Sequence, residues 1–274
     1  MTFYDRIRSA QRKKNSILCV GLDADQARLP EPFRSGDEGV LGFNRRIIEA
    51  TQEFACAYKI NLAFYEALGD TGMEIVRKTI RHIPGDAIII GDAKRGDIGN
   101  TAEKYAESLL VHLKFHATTV NPYMGKDSVE PFLRDGESGA FILALTSNPG
   151  AKDFQYLKIG KDRRPLYENI VRTVKKWNVR HNCGLVVGAT RPQQLKAIRA
   201  ITREMPLLIP GVGTQGGDVA SAVRYGCDRD GEMAIVNASR SIIYASPGDD
   251  FAEAARKAAQ QLRDTMNIYR DKYF

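Results

Sequence analysis

Residues 87–104 read AIIIGDAKRGDIGNTAEK. Four apolar residues, Ala87, Ile88, Ile89 and Ile90, run into Asp92, Lys94 and Asp97, with Thr101 beyond. An apolar, β-branched run of this kind reads as a strand covered on both faces, as in a parallel sheet. Asn100 followed three positions later by Glu103 has the form of a capping box, so a helix is expected from about Thr101. The charges then fall between strand end and helix start, the edge where parallel α/β folds bind ligands. A lysine between two aspartates is held protonated, and each aspartate leans on the lysine in return. The cluster therefore reads as an ammonium acid set among anions, a candidate active site; a solvated salt-bridge loop is the plainer alternative.

Outward from this stretch, an apolar run followed by a helix-like segment recurs eight times. Strands are expected at 16–22, 55–59, 87–90, 117–120, 141–145, 185–187, 207–209 and 233–236. Helices are expected at 43–54, 62–82, from about 101, and at 127–134, 165–180, 192–202, 218–225 and 251–274. Eight β-α units over about 250 residues spell an α/β protein of the (β/α)8 TIM-barrel class. No linker, repeat or low-complexity segment divides the chain, so residues 1–274 are expected to form a single domain. The loop 150–164 is longer than such connections usually are and is a candidate cover for the site.

A barrel brings all its strand ends to one face, and here they offer Asp23, Lys59, Asp92 with Lys94, Ser147, Pro210 and Arg240. One such charge alone would be an ordinary loop residue; polar groups at the matching end of most strands point to a shared site. The seventh strand runs into PGVGTQGGD, residues 210–218. Gly211, Gly213 and Gly216 fit the dinucleotide spacing, but the acidic residue required about 20 positions later is missing from VNASR. A glycine-rich turn whose amides approach a phosphate fits better, with Arg240 as a charged fork at the next strand end; a merely tight turn is the alternative.

The 274 residues are 43% hydrophobic and 27% charged, enough for a sizeable core. The net charge of +7 and pI near 9.2 come from scattered basic residues, which mildly favour anionic ligands and do not predict nucleic-acid binding. The N-terminus carries closely spaced charges and no apolar core, unlike a secretory signal, and no apolar run approaches the ~18 residues of a membrane span. Cys19, Cys56, Cys183 and Cys227 lack metal-ligand spacing and read as buried free thiols of a reducing cytoplasm. His82, His112, His116 and His181 fall in helices or at the opposite ends of strands from the site, so they read as packing or surface residues and no metal site is expected.

GDAKRGDIGNTA resembles the signature of the orotidine 5′-monophosphate (OMP) decarboxylase family. The similarity continues through VGLD at Asp23, YKINLAFYEALG at Lys59, TSNPG, PGVGTQGGD and the SRSI around Arg240, in family order over most of the barrel. The AYKINLAFYEALG and SNPG forms are similar to the longer bacterial branch, and Ser239 stands where shorter relatives more often carry glycine. The resemblance implies a cofactor-free decarboxylation of OMP to uridine 5′-monophosphate (UMP) in pyrimidine synthesis, by a cytoplasmic homodimer. It implies Lys94 as proton donor to C6 of the pyrimidine, held by Asp92 and Asp97. Asp23 and Lys59 would contact the ribose, and Asp97 and Thr101 would reach it from a partner subunit. Ser147 would bind the pyrimidine edge, Pro210 would line the base pocket, and Gln215 and Arg240 would hold the phosphate.

Three other readings remain open at this level. A magnesium-dependent hexulose-phosphate synthase or keto-gulonate-phosphate decarboxylase shares the Asp-x-Lys-x-x-Asp pattern, but would be expected to place a carboxylate where Lys59 stands. A class I aldolase would need an unprotonated lysine, which flanking aspartates oppose. A non-catalytic nucleotide-binding barrel would bind UMP and release no CO2 from OMP.

Overall fold

The computed structural model describes residues 1–34, 39–212 and 218–274. Eight strands form a closed parallel barrel: β1 Leu18–Gly21, β2 Ala57–Asn61, β3 Ile88–Arg95, β4 Ala117–Val120, β5 Gly139–Leu145, β6 Cys183–Val187, β7 Leu207–Pro210 and β8 Ala234–Ala238. Each strand pairs with its neighbour in sequence, and β1 closes on β8 with Leu18 opposite Val236. The strands are short runs of Val, Ile, Leu and Ala, buried by the barrel interior on one side and by helices on the other. The four cysteines are free and buried. Burial pushes the thiols of Cys56, Cys183 and Cys227 up to about 12, so they are packing groups at neutral pH.

The helix Phe3–Lys14 closes the amino end of the barrel. Phe3 fills the space beside Gly139, where a Cβ would come within 2.2 Å of its ring. Tyr4 Oη donates to the Cys183 carbonyl at 2.8 Å, and Gln11 bonds the Ala234 carbonyl and the Met233 amide. Arg8 pairs with buried Asp228 and Glu232, at 2.7 and 2.6 Å. With the floor sealed, an open cavity can form only at the carboxyl end.

Several elements differ from the sequence expectation. β3 does not stop at Ile90: it continues through Asp92 and Lys94 to Arg95, so these charges belong to the strand rather than to a loop after it. The expected 62–82 helix is two, Leu62–Glu66 and Gly72–His82, separated by Gly69 at φ 65°. The 127–134 segment divides into a helical turn, Lys126–Val129, and a 3-10 turn, Glu130–Leu133, at Pro131, which has no N–H to continue the helix. The Asn100–Glu103 capping box does not form. The helix Gly99–Ala106 begins after Ile98 with no side-chain cap, and Glu103 pairs with Arg134 instead. The 150–164 segment is built rather than irregular: it holds the short helix Ala151–Phe154 and an antiparallel pair, Lys158–Ile159 with Arg164–Pro165.

Candidate active site

The carboxyl ends of the strands surround a cavity of about 330 Å3 lined by Asp23, Lys59, Asn61, Asp92, Lys94, Thr119, Ser147, Pro210, Asn237, Ser239 and Arg240, among others. A larger hollow of about 590 Å3 lies outside the barrel between Gly99 and Arg180 and shares none of these residues. The charged groups converge in the smaller one, so volume does not identify the site; chemistry does.

The end of β1 is braced from three sides. Leu22 N–H bonds the Lys59 carbonyl at 2.9 Å, and Tyr65 Oη donates to the Leu22 carbonyl at 2.8 Å. Tyr244 Oη accepts the Asp25 amide at 2.7 Å, and Arg28 stacks 4.2 Å over its ring. Asp23 is thereby held beside the β2 lysine. β1 also runs close to the turn after β8: a Cβ on Gly21 would meet Ser239 Oγ at 1.8 Å, so only glycine permits that approach.

Four charges alternate in sign across three strands. Lys59 Nζ lies 3.3 Å from Asp23 Oδ1 and 3.0 Å from Asp92 Oδ2. Asp92 Oδ1 then takes Lys94 Nζ at 2.6 Å. Lys59 is buried, and its burial pulls its pKa down, but Asp23 and Asp92 outweigh that and hold it above the ordinary lysine range. Burial pushes Asp92 up, yet Lys59 and Lys94 outweigh it and keep the carboxyl well below the usual carboxylate range. Lys94, with half its side chain exposed, is the open end of the chain and faces the cavity.

Within one chain the lysine flanked by two aspartates is Lys59, and among the described residues Lys94 pairs with Asp92. Among the described residues Asp97 makes no ion pair, and its Oδ1 accepts the Ile98 amide at 2.8 Å. Asp97 precedes the helix Gly99–Ala106, so it and exposed Thr101 do not share one helical face. Neither lines the cavity. Ser147, Pro210 and Arg240 do line it. Pro210 pairs with Asn237, and Gly211 turns the chain at φ 95°. Gln215, with Gly213 and Gly216 of the expected phosphate turn, lies outside the described residues. Among those described, no group of three or more His, Cys, Asp or Glu side chains is placed to hold a metal ion.

Residues 16–258 match the profile of the orotidine 5′-phosphate decarboxylase / HUMPS family. The chain belongs to that family. It is 48% identical to an orotidine 5′-phosphate decarboxylase of Dehalococcoides mccartyi over the full length of both chains. A protein of the same name from Herpetosiphon aurantiacus is 49% identical, over 94% of this chain and 95% of its own. Among solved structures, the Leishmania donovani OMP decarboxylase superposes with a TM-score of 0.86 at 36% identity, covering 99% of both chains. The UMP synthase of the same organism superposes at 0.87 and 38% identity, over 98% of this chain and 57% of that one.

Family membership leaves some lining residues that the sequence did not mark. Asn61, Asn148, Asn237 and Thr119 all face the cavity. For Thr119 a signal existed: two threonines in the four-residue strand ATTV are unusual for a segment buried on both faces.

Proposed function

We propose that this chain converts OMP to UMP and CO2, as a cytoplasmic, single-domain homodimer serving pyrimidine synthesis. The observation that carries this reading is the charge chain Asp23–Lys59–Asp92–Lys94, ending on an open ammonium at the barrel mouth. When the bond from C6 to the carboxylate breaks, the electron pair stays on C6 in the ring plane, where the π-system cannot spread it. A prearranged ammonium stabilises that charge and then gives C6 its proton. Asp92 holds the Lys94 ammonium in place at 2.6 Å, and in this reading its charge repels the substrate carboxylate until CO2 departs. Asp23 and Lys59 contact the ribose, Ser147 the pyrimidine edge, and Pro210 the base. Arg240 and Gln215 hold the phosphate, whose binding energy is expressed far from the bond that breaks.

Asp97 and Thr101 complete the site of a second copy in this reading. They lie off the cavity wall of their own chain, on either side of exposed Ile98. A metal-dependent sugar-phosphate member of the family is the other reading, and buried Lys59 on β2, where a carboxylate would be expected, counts against it. No described helix is long and apolar enough to cross a membrane. The test is OMP decarboxylation followed at the pyrimidine absorbance with and without EDTA. The proposal expects equal rates. Activity that collapses in EDTA, or UMP binding without CO2 release, would contradict it.

A further inference from the structure

Between β3 and β4 the register breaks beside the site. Gly91 pairs with Thr118 and Arg95 with Val120, so Asp92, Ala93 and Lys94 together face the single residue Thr119. A bulge of this kind bends a strand and re-aims its side chains. It leaves Lys94 at φ 48°, a left-handed conformation unfavourable for a non-glycine residue unless its surroundings hold it. Buried Thr119 supplies the hold. Its Oγ1 accepts the Lys94 amide at 2.9 Å and donates to Asp92 Oδ1 at 2.9 Å. The same Asp92 oxygen accepts Lys94 Nζ at 2.6 Å. One hydroxyl thus closes a ring from the Lys94 backbone, through Asp92, to the Lys94 ammonium. Only a group that both donates and accepts can do so; valine has the same shape and does neither. Thr118 points to the opposite face and donates to the Gly91 carbonyl at 2.8 Å, a separate task.

Building on Lys94 as the proton donor, we propose that Thr119 is a positioning residue of this site, its hydroxyl locking the bulge so that the ammonium is aimed at the reacting carbon. The effect is on orientation, so it falls on turnover rather than on nucleotide affinity.

Thr119→Val, Thr119→Ser and Lys94→Ala are compared by OMP kinetics and by calorimetric UMP binding. Thr119→Val is expected to lower kcat about 10- to 100-fold while KM and the UMP Kd stay within about threefold. Thr119→Ser should recover most of the loss. Thr119→Ala makes the same comparison if the valine variant does not fold. Unchanged kcat in the hydroxyl-free variants, an equal loss in Thr119→Ser, or kcat and UMP affinity falling together would overturn the assignment. Lys94→Ala separates the two levels: if it still turns over OMP, the reading of Lys94 fails, whereas a dead Lys94→Ala beside a fully active Thr119→Val refutes only the role of Thr119.

Discussion

At the scale of single residues, the site is an alternation of charges that each need their neighbour. Buried Lys59 is tolerable because two carboxylates face it, and Asp92 because two ammonium groups do. Arg240 differs: among the described residues it has no ion pair, and it is exposed at the cavity edge, as a group awaiting an anion would be. Arg240→Ala is expected to lower kcat/KM for OMP by about 2 kcal/mol, roughly thirtyfold, the scale of a charge-assisted hydrogen bond. It should barely alter the slow reaction of a substrate lacking the phosphate; equal losses on both substrates would make Arg240 structural. Asp23, Lys59, Asp92, Lys94 and Arg240 were legible in the sequence because a charge directly after an apolar run has one place to go in a barrel. Which carboxylate serves which lysine was not legible. Lys59 meets its two aspartates across strands, 33 and 36 positions away, whereas Asp97, near Lys94 in sequence, bonds the Ile98 amide within its own chain. For Thr119 the only signal was the pair of threonines in the buried strand ATTV, and it did not say which of the two faces the site.

At the scale of elements, β3 carries most of the function and the largest departure from regularity. Its apolar first half was readable from Ala87 to Ile90, but its bulged second half was not, because a bulge is set by the partner strand. The same limit explains the absent capping box, since Glu103 pairs across to Arg134 instead; the helix break at Gly69 is local, set by the glycine's φ of 65°. At the far end of β3 and β4, His116 joins the strands: its Nδ1 accepts the Ile89 amide at 3.1 Å, and its own amide bonds the Ile89 carbonyl at 2.9 Å. Burial, with a smaller contribution from Arg6, lowers the imidazole from 6.5 to about 4. Protonation would turn the acceptor into a donor facing a donor. With the folded value below the unfolded one, this stability is present above pH 6.5 and is lost as pH falls towards 4. Between pH 7 and 4.5, the unfolding free energy from urea titration should fall less for His116→Asn than for the wild type, by about 2 kcal/mol. Parallel loss in both proteins would show that His116 does not titrate in this way.

At the scale of the molecule, the barrel floor is sealed by the N-terminal helix and the chemistry gathers at the opposite face, an asymmetry common to such barrels. The eightfold alternation made this architecture legible, whereas the proposed sharing of sites between subunits depends on surfaces that no periodicity encodes. Homodimers of Lys94→Ala and of Asp97→Ala should each be nearly inactive if Asp97 serves the partner. Mixed and re-equilibrated, half the dimers are hybrids with one intact site, so activity should return to about a quarter of wild type. No recovery would place Asp97 in its own chain's site or outside the chemistry. The central claim is that the ammonium of Lys94 stabilises the C6 carbanion and protonates it, and its most direct measurement is OMP turnover by Lys94→Ala beside the wild type, with UMP binding as the control for an intact site. Decarboxylation should be abolished with UMP binding partly retained; a variant keeping more than about 5% of wild-type kcat would contradict the role of Lys94.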